Sequence, residues 1–163
     1  MRKAAFLDRD GVINMLVPLP NDPRNSPRNA GELRLYPEAA KAIEKIDKDQ
    51  WLVIVVSNQP NIAKGKSTFR DLEEMTEKMI KTVEQQNAKI DDVYYCLHHP
   101  DPEQVIVKEL LKKCKCRKPE PGLLLKAAKD WNIDLKLSWM VGDSKSDIQA
   151  GKAAGCQTIL VKG

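Results

Sequence analysis

Residues 6–12 read FLDRDGV, and this stretch decides the fold. An apolar run ends at Leu7, and two carboxylates, Asp8 and Asp10, follow directly. Residues two apart in an extended chain project to the same side, so we expect these two side chains to converge while Arg9 points away. Ligands of open α/β sheets bind outside the carboxyl ends of the strands, which is where this pair would lie.

Short apolar runs alternate with amphipathic stretches along the whole chain. The apolar runs predict five strands, which are Lys3–Leu7, Trp51–Val56, Val93–Cys96, Leu137–Val141 and Thr158–Val161. The amphipathic stretches predict helices within residues 37–46, 69–83, 123–131 and 148–154, with Thr68 as an N-cap. This alternation predicts an α/β fold, a doubly wound parallel sheet with helices on both faces. We expect one domain over residues 1–163 without a separate cap domain, since no large insertion interrupts the pattern.

Length, composition and charge limit the class of protein. The chain has 163 residues, 42% of them hydrophobic and 31% charged, as in soluble globular domains. Its net charge of +4 is modest, and Lys and Arg are scattered among Asp and Glu, whereas nucleic-acid binders more often cluster their positive charge. This pattern is typical of solvated helix faces with a few anion-binding residues, and a small phosphorylated substrate suits it equally well. No apolar run approaches the roughly 20 residues that span a bilayer, and the N-terminus does not read as a signal peptide. We therefore expect a cytoplasmic monomer with no membrane or nucleic-acid partner.

The two aspartates have a chemical interpretation. Two carboxylates this close require a cation, and hard oxygen ligands suit Mg²⁺. A carboxylate held in this way can attack phosphorus and form an aspartyl-phosphate, while the second can act as general acid and then as general base. Asp-Gly pairs are also common in surface turns, so residues 8–11 alone leave both interpretations open. Ser57 and Asp143 follow two other predicted strands and would lie at the same edge of the sheet.

Four motifs in order resemble those of the haloacid dehalogenase-like (HAD-like) hydrolases, most of which are phosphatases. The motifs are Asp8-Arg9-Asp10-Gly11-Val12-Ile13-Asn14, Val55-Val56-Ser57-Asn58-Gln59, Arg117-Lys118-Pro119 and Val141-Gly142-Asp143-Ser144-Lys145-Ser146-Asp147. The resemblance implies that Asp8 is the nucleophile and that Asp10 is the acid and base. It also implies that Ser57 and Lys118 bind the transferring phosphoryl group.

The same resemblance assigns the remaining residues of the site. Mg²⁺ would be held by Asp8, Asp143 and the backbone carbonyl of Asp10. The residues assigned to substrate binding are Asn58, Gln59, Arg117 and Ser144. Asp147 remains open between a metal-site residue and an acid in the first turn of a helix.

Most cysteines and histidines lie in one stretch of the chain. Cys-x-His and Cys-x-Cys pairs are formed by Cys96, His98, Cys114 and Cys116. Three thiolates and an imidazole complete a tetrahedral Zn²⁺ shell without an open position, which makes such a site structural. The alternative is a set of buried cysteines in a polar loop, which we expect instead for Cys156. We predict a zinc-stapled loop over about residues 96–118, which would aim Arg117 and Lys118 at the phosphate site.

The zinc loop narrows the resemblance further. Residues 96–100 and 114–119 resemble those of the bacterial D,D-heptose 1,7-bisphosphate 7-phosphatases and of their relatives, the histidinol-phosphate phosphatases. This implies removal of the 7-phosphate of D-glycero-D-manno-heptose 1,7-bisphosphate, a precursor of lipopolysaccharide or other surface glycans. Histidinol phosphate or another small sugar phosphate is the alternative substrate.

Three places depart from the heptose pattern, and all border the expected substrate site. They are the proline-rich stretch 17–28, the pair Pro60-Asn61, and Ser144. A zinc-stabilised nucleic-acid-binding module is the alternative from another class. It would leave Asp8, Asp10 and Asp143 unexplained, because these acids would repel a phosphate backbone.

Overall fold

The computed structural model describes residues 1–162, so Gly163, the last residue of the predicted domain, lies outside the described residues. Within this range a five-stranded parallel sheet has the order β3-β2-β1-β4-β5. The strands are β1 (Lys3–Leu7), β2 (Trp51–Asn58), β3 (Asp92–Cys96), β4 (Trp139–Gly142) and β5 (Gln157–Leu160). The helices are α1 (Pro37–Glu44), α2 (Phe69–Glu84), α3 (Gly122–Trp131) and α4 (Lys145–Ala154), and short 3₁₀ turns span Lys108–Leu110 and Leu135–Leu137. The predicted α/β fold is confirmed.

Helices cover both faces of the sheet, which explains why β2 is apolar throughout. Val53 and Val55 pack in the core formed with α1 and α2. Ile54 and Val56 point to the opposite face and pack in the core formed with α3 and α4. Cys156 lies in this second core at 8% exposure, as expected for a packing cysteine.

Local side-chain hydrogen bonds account for the main differences between predicted and observed boundaries. The predicted strand Leu137–Val141 begins only at Trp139, because residues 135–137 form a 3₁₀ turn. The Asp134 carboxylate accepts from the Lys136 N–H, and the Ser138 hydroxyl donates to the Asp134 carbonyl. These bonds favour a turn over an extended strand.

Helix and strand ends near the site also shift by a few residues. α4 begins at Lys145, before the predicted start at Ile148, because the Asp147 carboxylate accepts from the Ser144 N–H and caps the first turn. The Thr68 hydroxyl accepts from the Asp71 N–H, which confirms the predicted N-cap of α2. β2 continues two residues beyond its predicted end, so Ser57 belongs to the strand itself.

Strand register brings the separated motifs to one edge of the sheet. Leu7 of β1 pairs with Val141 of β4, and the Asp8 N–H donates to the Val141 carbonyl at 3.0 Å. The strand order turns back on itself between β1 and β4, and the crevice at such a switch point is where ligands of α/β sheets bind. Asp8 and Asp143 therefore face each other across this crevice.

Two long connections border the crevice. The proline-rich connection holds no helix or strand over residues 17–32, but it is internally hydrogen-bonded. Leu19 and Asp22 exchange backbone hydrogen bonds, and Asn25 is 5% exposed with its amide donating to the Val17 carbonyl. The second connection, residues 97–121, carries the cysteines of the predicted zinc site. Among residues 1–162, no helix combines the length and apolar character needed to cross a membrane.

Candidate active site

A polar cleft of about 260 Å³ opens at the carboxyl edge of the sheet. Its lining residues are Asp8, Asp10, Leu16, Arg24, Ser26, Ser57, Asn58, Arg117, Lys118, Ser144, Ser146 and Asp147. Most of the residues predicted for catalysis and substrate binding thus meet in one cleft. A larger cavity of about 510 Å³ lies between α1 and the sheet and is lined mainly by apolar side chains.

Lys118 joins two carboxylates at the base of the cleft. Its ammonium donates to Asp8 Oδ1 at 2.9 Å, to Asp147 Oδ1 at 2.6 Å and to the Val56 carbonyl at 2.9 Å. These three acceptors match the three donors of an ammonium group. Burial lowers the pKa of Lys118, but the Asp8 and Asp147 carboxylates outweigh it and raise the pKa above its usual value. Lys118 is therefore a buried cation that holds Asp8 in place.

The protonation of Asp8 depends on its neighbours. Burial is the largest influence and, against the lowering effect of Lys118, raises the pKa of Asp8 to about 7. The Asp147 and Asp10 carboxylates add to this rise. A nucleophilic carboxylate must be ionised, and a divalent cation beside it would lower its pKa. The charge distribution thus favours a metal ion next to Asp8.

Asp143 offers a free oxygen for such an ion. One ligand oxygen each from Asp8, Asp143 and Asp147 lies within 4.8 Å of the others. Asp143 Oδ1 is buried and has no hydrogen-bond partner among residues 1–162. Gly11 makes this approach possible: its φ is +88°, and a methyl group on its Cα would overlap the Asp143 carboxylate. A converging set of carboxylates with one unpartnered buried oxygen fits Mg²⁺.

Asp147, left open by the sequence, has partners for both oxygens. Oδ1 accepts from Lys118, and Oδ2 accepts from the Asp143 N–H and from the Ser144 N–H and hydroxyl. The side chain therefore both caps α4 and pairs with Lys118. Ser144, predicted to bind substrate, lies on the cleft wall with its hydroxyl 2.9 Å from Ser146 Oγ.

Arg9 contradicts the expectation that it points away from the aspartates. It is fully buried, and its Nε and Nη2 donate to Asp10 Oδ1 at 3.0 and 2.9 Å. The reason is the turn that follows β1, in which the Arg9 carbonyl accepts from the N–H groups of residues 12–14 and folds the chain back. The alternation of an extended strand thus no longer applies after Asp8.

A hydrogen-bond network around Asp10 fixes its carboxylate. Asn14 donates to Oδ1 at 3.0 Å and Gln59 Nε2 donates to Oδ2 at 2.8 Å. Burial raises the pKa of Asp10, but the Arg9 guanidinium and these donors outweigh it and lower the pKa below its usual range. Asp10 is therefore ionised in the free site, which is the form of a general base.

Asn58 and Gln59 lie beside the predicted phosphoryl-binding residues but are engaged by protein groups. Asn58 Nδ2 donates to the Lys118 carbonyl at 3.1 Å, and its Oδ1 accepts from the Lys118 N–H at 3.0 Å. Gln59 Nε2 also donates to Ser57 Oγ at 3.0 Å, and its Oε1 accepts from Arg9 Nη2. The Asn58 amide therefore positions Lys118, and the Gln59 amide positions Asp10 and Ser57. The Ser57 hydroxyl lines the cleft, where it can donate to a phosphoryl oxygen.

The predicted zinc ligands converge next to this site. A ligand atom from each of Cys96, His98, Cys114 and Cys116 lies within 4.8 Å of the others. Two of the sulfur pairs, Cys96–Cys114 and Cys114–Cys116, are 3.5 and 3.3 Å apart, and His98 contributes Nδ1. Three thiols and one imidazole gathered in this way are the donor set of a structural tetrahedral zinc shell. His99 is separate, with its Nδ1 accepting from the Asp101 N–H.

The zinc cluster is coupled to Lys118 through short stretches of backbone. Cys96 pairs with Asn58 in the β2–β3 register, and Asn58 holds the Lys118 backbone. Cys116 lies two residues before Lys118, and the Arg117 guanidinium donates to the His98 carbonyl at 3.3 Å. A metal in the cluster would thus fix the chain that carries both cations.

Sequence reasoning assigned no role to four residues that line the cleft, Leu16, Arg24, Ser26 and Ser146, and Arg24 is the charged one among them. Arg24, in the proline-rich connection, forms an ion pair with Asp143, with Nη2 donating to Oδ2 at 2.9 Å. The Asp143 side chain in this pair is 8% exposed. Nothing in the local pattern around Arg24 indicates a partner 119 residues away. In the sequence, the proline-rich stretch 17–28 was notable only because it departs from the heptose-phosphatase pattern.

Comparison with known proteins gives consistent results. A protein-family model described as HAD-hydrolase-like matches residues 115–163. The chain is 38% identical over 154 residues to the D-glycero-beta-D-manno-heptose-1,7-bisphosphate 7-phosphatase of Rhodopseudomonas palustris, covering 94% of this chain and 80% of the relative. It is 37% identical to the D-glycero-alpha-D-manno-heptose-1,7-bisphosphate 7-phosphatase of Photorhabdus laumondii, covering 98% of this chain and 82% of the relative.

The chain belongs to the HAD-like hydrolases, in the heptose bisphosphate phosphatase family. The crystal structure of the D,D-heptose 1,7-bisphosphate phosphatase from B. bronchiseptica, complexed with magnesium and phosphate, matches with a TM-score of 0.80 and 30% identity. The match covers 97% of this chain and 79% of that one. The predicted family is confirmed, as is the prediction that this HAD-like protein is a phosphatase.

Gly11→Ala tests the geometry around Asp143. The new methyl group would displace the Asp143 carboxylate, and we expect Mg²⁺-dependent phosphate release to fall by about 100-fold or more, the effect of a misplacement of about 1 Å. Gly155→Ala is the matched control, because Gly155 also has a positive φ, +93°, but open space around its Cα. It should cost about 1–2 kcal/mol of unfolding free energy in urea titrations and retain activity. Equal activities of the two variants would contradict the geometry.

Zinc removal tests the link between the cluster and Lys118. We expect chelation to lower phosphatase activity by about 10-fold or more while the circular dichroism spectrum still reports a folded protein, because Arg117 and Lys118 would lose their fixed positions. Cys114→Ser should reproduce the loss and lower the zinc content measured by atomic absorption. Cys156→Ala, a change outside the cluster, should leave the zinc content unchanged. A folded, zinc-free enzyme with full activity would refute the link.

Proposed function

We propose that this HAD-like phosphatase removes the 7-phosphate of D-glycero-D-manno-heptose 1,7-bisphosphate through a covalent intermediate on Asp8. The observation that carries the proposal is the position of Asp8. Lys118 holds it at the base of a polar cleft, within reach of Asp143, whose buried Oδ1 has no hydrogen-bond partner among residues 1–162. The identity of the sugar is supported by the names of relatives that are 37–38% identical to the chain over the aligned residues.

The metal site of the proposed mechanism consists of the carboxylates of Asp8 and Asp143 and the backbone carbonyl of Asp10. Mg²⁺ bound there would neutralise negative charge on the phosphoryl oxygens and orient them for in-line attack. The Asp10 carboxylate accepts hydrogen bonds from Arg9, Asn14 and Gln59. This is consistent with metal binding through the backbone carbonyl of Asp10 and not through its carboxylate. The zinc at the Cys/His cluster is proposed as structural, since four protein ligands leave no open position.

In the first step the Asp8 carboxylate attacks phosphorus and the sugar oxygen departs. Ser57 and Lys118 stabilise the charge that moves onto the phosphoryl oxygens. Asp10 donates a proton to the leaving oxygen. Its pKa is low in the free site, but a phosphoryl group entering beside it raises that pKa by like-charge repulsion, so proton uptake accompanies substrate binding.

In the second step a water molecule attacks the aspartyl-phosphate. Asp10, now a carboxylate, accepts the proton of the water, and inorganic phosphate and free Asp8 are released. The network of Arg9, Asn14 and Gln59 suits this step, because it stabilises the ionised form of Asp10. One side chain thereby serves both half-reactions.

A second phosphate on the substrate has cationic partners beside the cleft. Arg117 lines the cleft next to Lys118. Burial and the like charges of Lys66 and Arg117 lower the pKa of Lys64, so these cations lie close enough to repel one another. An anion between them would relieve that repulsion, and a guanidinium suits bidentate contact with phosphate. We assign the 1-phosphate to Arg117, and Ser144 and Asn58 line the same cleft.

The remaining parts of the proposal concern partners. The substrate is a small phosphorylated sugar, and we propose a cytoplasmic monomer that binds neither nucleic acid nor membrane. The modest net charge of +4, interspersed with acidic residues, supports this view. Size-exclusion chromatography with light scattering measures the oligomeric state directly.

The decisive experiment compares Mg²⁺-dependent phosphate release from D-glycero-D-manno-heptose 1,7-bisphosphate and from histidinol phosphate. We expect a strong preference for the bisphosphate in kcat/KM, because only this substrate engages both anion sites. Asp8→Asn should abolish turnover of both while leaving the thermal unfolding transition cooperative. A preference for histidinol phosphate would show that the protein is a histidinol-phosphate phosphatase and would overturn the proposed substrate. Turnover by Asp8→Asn would overturn the mechanism.

Arg117→Ala tests the second phosphate site. We expect KM for the bisphosphate to rise about 10-fold or more, since hydrogen bonds to charged groups contribute about 1.5–3 kcal/mol. Hydrolysis of p-nitrophenyl phosphate, which has no second phosphate, should change far less. Lys115→Ala removes an exposed charge two residues away in the same loop and should leave both substrates unaffected. An equal loss on both substrates would show that Arg117 acts on the transferred phosphoryl group.

A further inference from the structure

Arg24 is the one cation in contact with Asp143 among the described residues, and no step of the proposed mechanism uses it. The two oxygens of the Asp143 carboxylate have different surroundings. Oδ2 accepts from Arg24 Nη2 at 2.9 Å. Oδ1 is buried without a partner within residues 1–162. A rotation of the carboxylate that brought Oδ1 outward would break the bond to Arg24.

We propose that Arg24 is a positioning residue that locks Asp143 in the orientation in which it binds the divalent cation. This inference rests on the metal site of the proposed function. A hydrogen bond to the outer oxygen of a ligating carboxylate fixes the direction of the inner one, and the loss of such a partner typically weakens metal affinity by about 10–100-fold.

The proline-rich connection is built to hold Arg24 in place. The Arg24 N–H donates to Asp22 Oδ1 at 3.3 Å, and Asp22 exchanges two backbone hydrogen bonds with Leu19. The next residue, Asn25, is 5% exposed and bonded to Val17 through both its backbone carbonyl and its side-chain amide. Because the backbone on both sides is anchored, the long side chain alone has to be ordered for the ion pair to form.

The surface character of Arg24 does not remove this effect. The Arg24 side chain is 56% exposed, and ion pairs of exposed partners contribute little to stability. Its partner, however, is buried and packs against Gly11, so the guanidinium bond acts on a carboxylate with little freedom and no competing donor to Oδ2. The expected consequence is therefore a change in metal affinity, with little change in folding stability.

The test measures metal binding without turnover. Mn²⁺ is titrated into the zinc-loaded protein, and free Mn²⁺ is counted by electron paramagnetic resonance. Arg24→Ala should raise the Mn²⁺ dissociation constant about 10-fold or more. In assays, kcat at saturating Mg²⁺ should return to within about 3-fold of the wild-type value, as expected when only positioning is lost. Arg24→Lys should give an intermediate dissociation constant.

A matched control lies in the same connection. Arg28 engages the molecule through its backbone, its N–H donating to Glu32 Oε1 and its carbonyl accepting from Ser67. Arg28→Ala removes the same charge and should leave the dissociation constant unchanged. An unchanged constant for Arg24→Ala would overturn the inference. A lower constant would overturn it too, because it would mean that Arg24 competes with the ion.

Asp143→Asn separates this inference from the proposed metal site. If Asp143→Asn binds Mn²⁺ as the wild-type protein does, the proposed site is wrong. If Asp143→Asn loses binding while Arg24→Ala retains it, the site stands and only the role of Arg24 fails. Loss of binding in both variants, with Arg28→Ala unaffected, is the expected result.

Discussion

The burial of like charges at one edge of the sheet is the constraint on which the rest of the structure depends. Four carboxylates, those of Asp8, Asp10, Asp143 and Asp147, meet at the carboxyl ends of β1 and β4. Three cations, Arg9, Arg24 and Lys118, form ion pairs with them. Buried charges persist only when they are paired or bind a metal. Within these ion pairs the carboxylates outnumber the cations by one, which suits a divalent cation followed by an anionic substrate.

Two of the cations that balance these acids, Arg24 and Lys118, come from distant parts of the chain, so the connections that carry them must be held firmly. Lys118 reaches Asp8 over 110 residues of sequence and is itself fixed by Asn58. The Cys/His cluster joins the two ends of the connection that carries Lys118. Its first member, Cys96, pairs with Asn58 in the sheet. A small domain has limited core with which to order a long connection. A metal cluster supplies that order locally, next to the residues that need it.

The sequence predicted the fold and brought most residues of the candidate site to one edge of the sheet, because both depend on local pattern and on motifs. Alternating apolar runs gave the parallel sheet, and the acids at strand ends followed from sheet geometry. Arg9 and Arg24 could not be placed in the same way. The position of Arg9 follows from a turn that ends the strand alternation after Asp8, and that of Arg24 from a contact across 119 residues. Asp147 remained open because a helix cap and a charge partner require the same residue type, and here one side chain does both.

Asp8 and Asp10 are two residues apart, yet their surroundings move their pKa values in opposite directions. Burial raises the pKa of Asp8 to about 7. Burial also acts to raise the pKa of Asp10, but Arg9, Asn14 and Gln59 outweigh it and lower that pKa. For the proposed mechanism, both values must change before reaction, since the nucleophile has to be ionised and the acid protonated. A divalent cation lowers the first and an incoming phosphoryl group raises the second. In the proposed mechanism, bound metal and substrate therefore both favour the reactive protonation state, in which Asp8 is ionised and Asp10 is protonated.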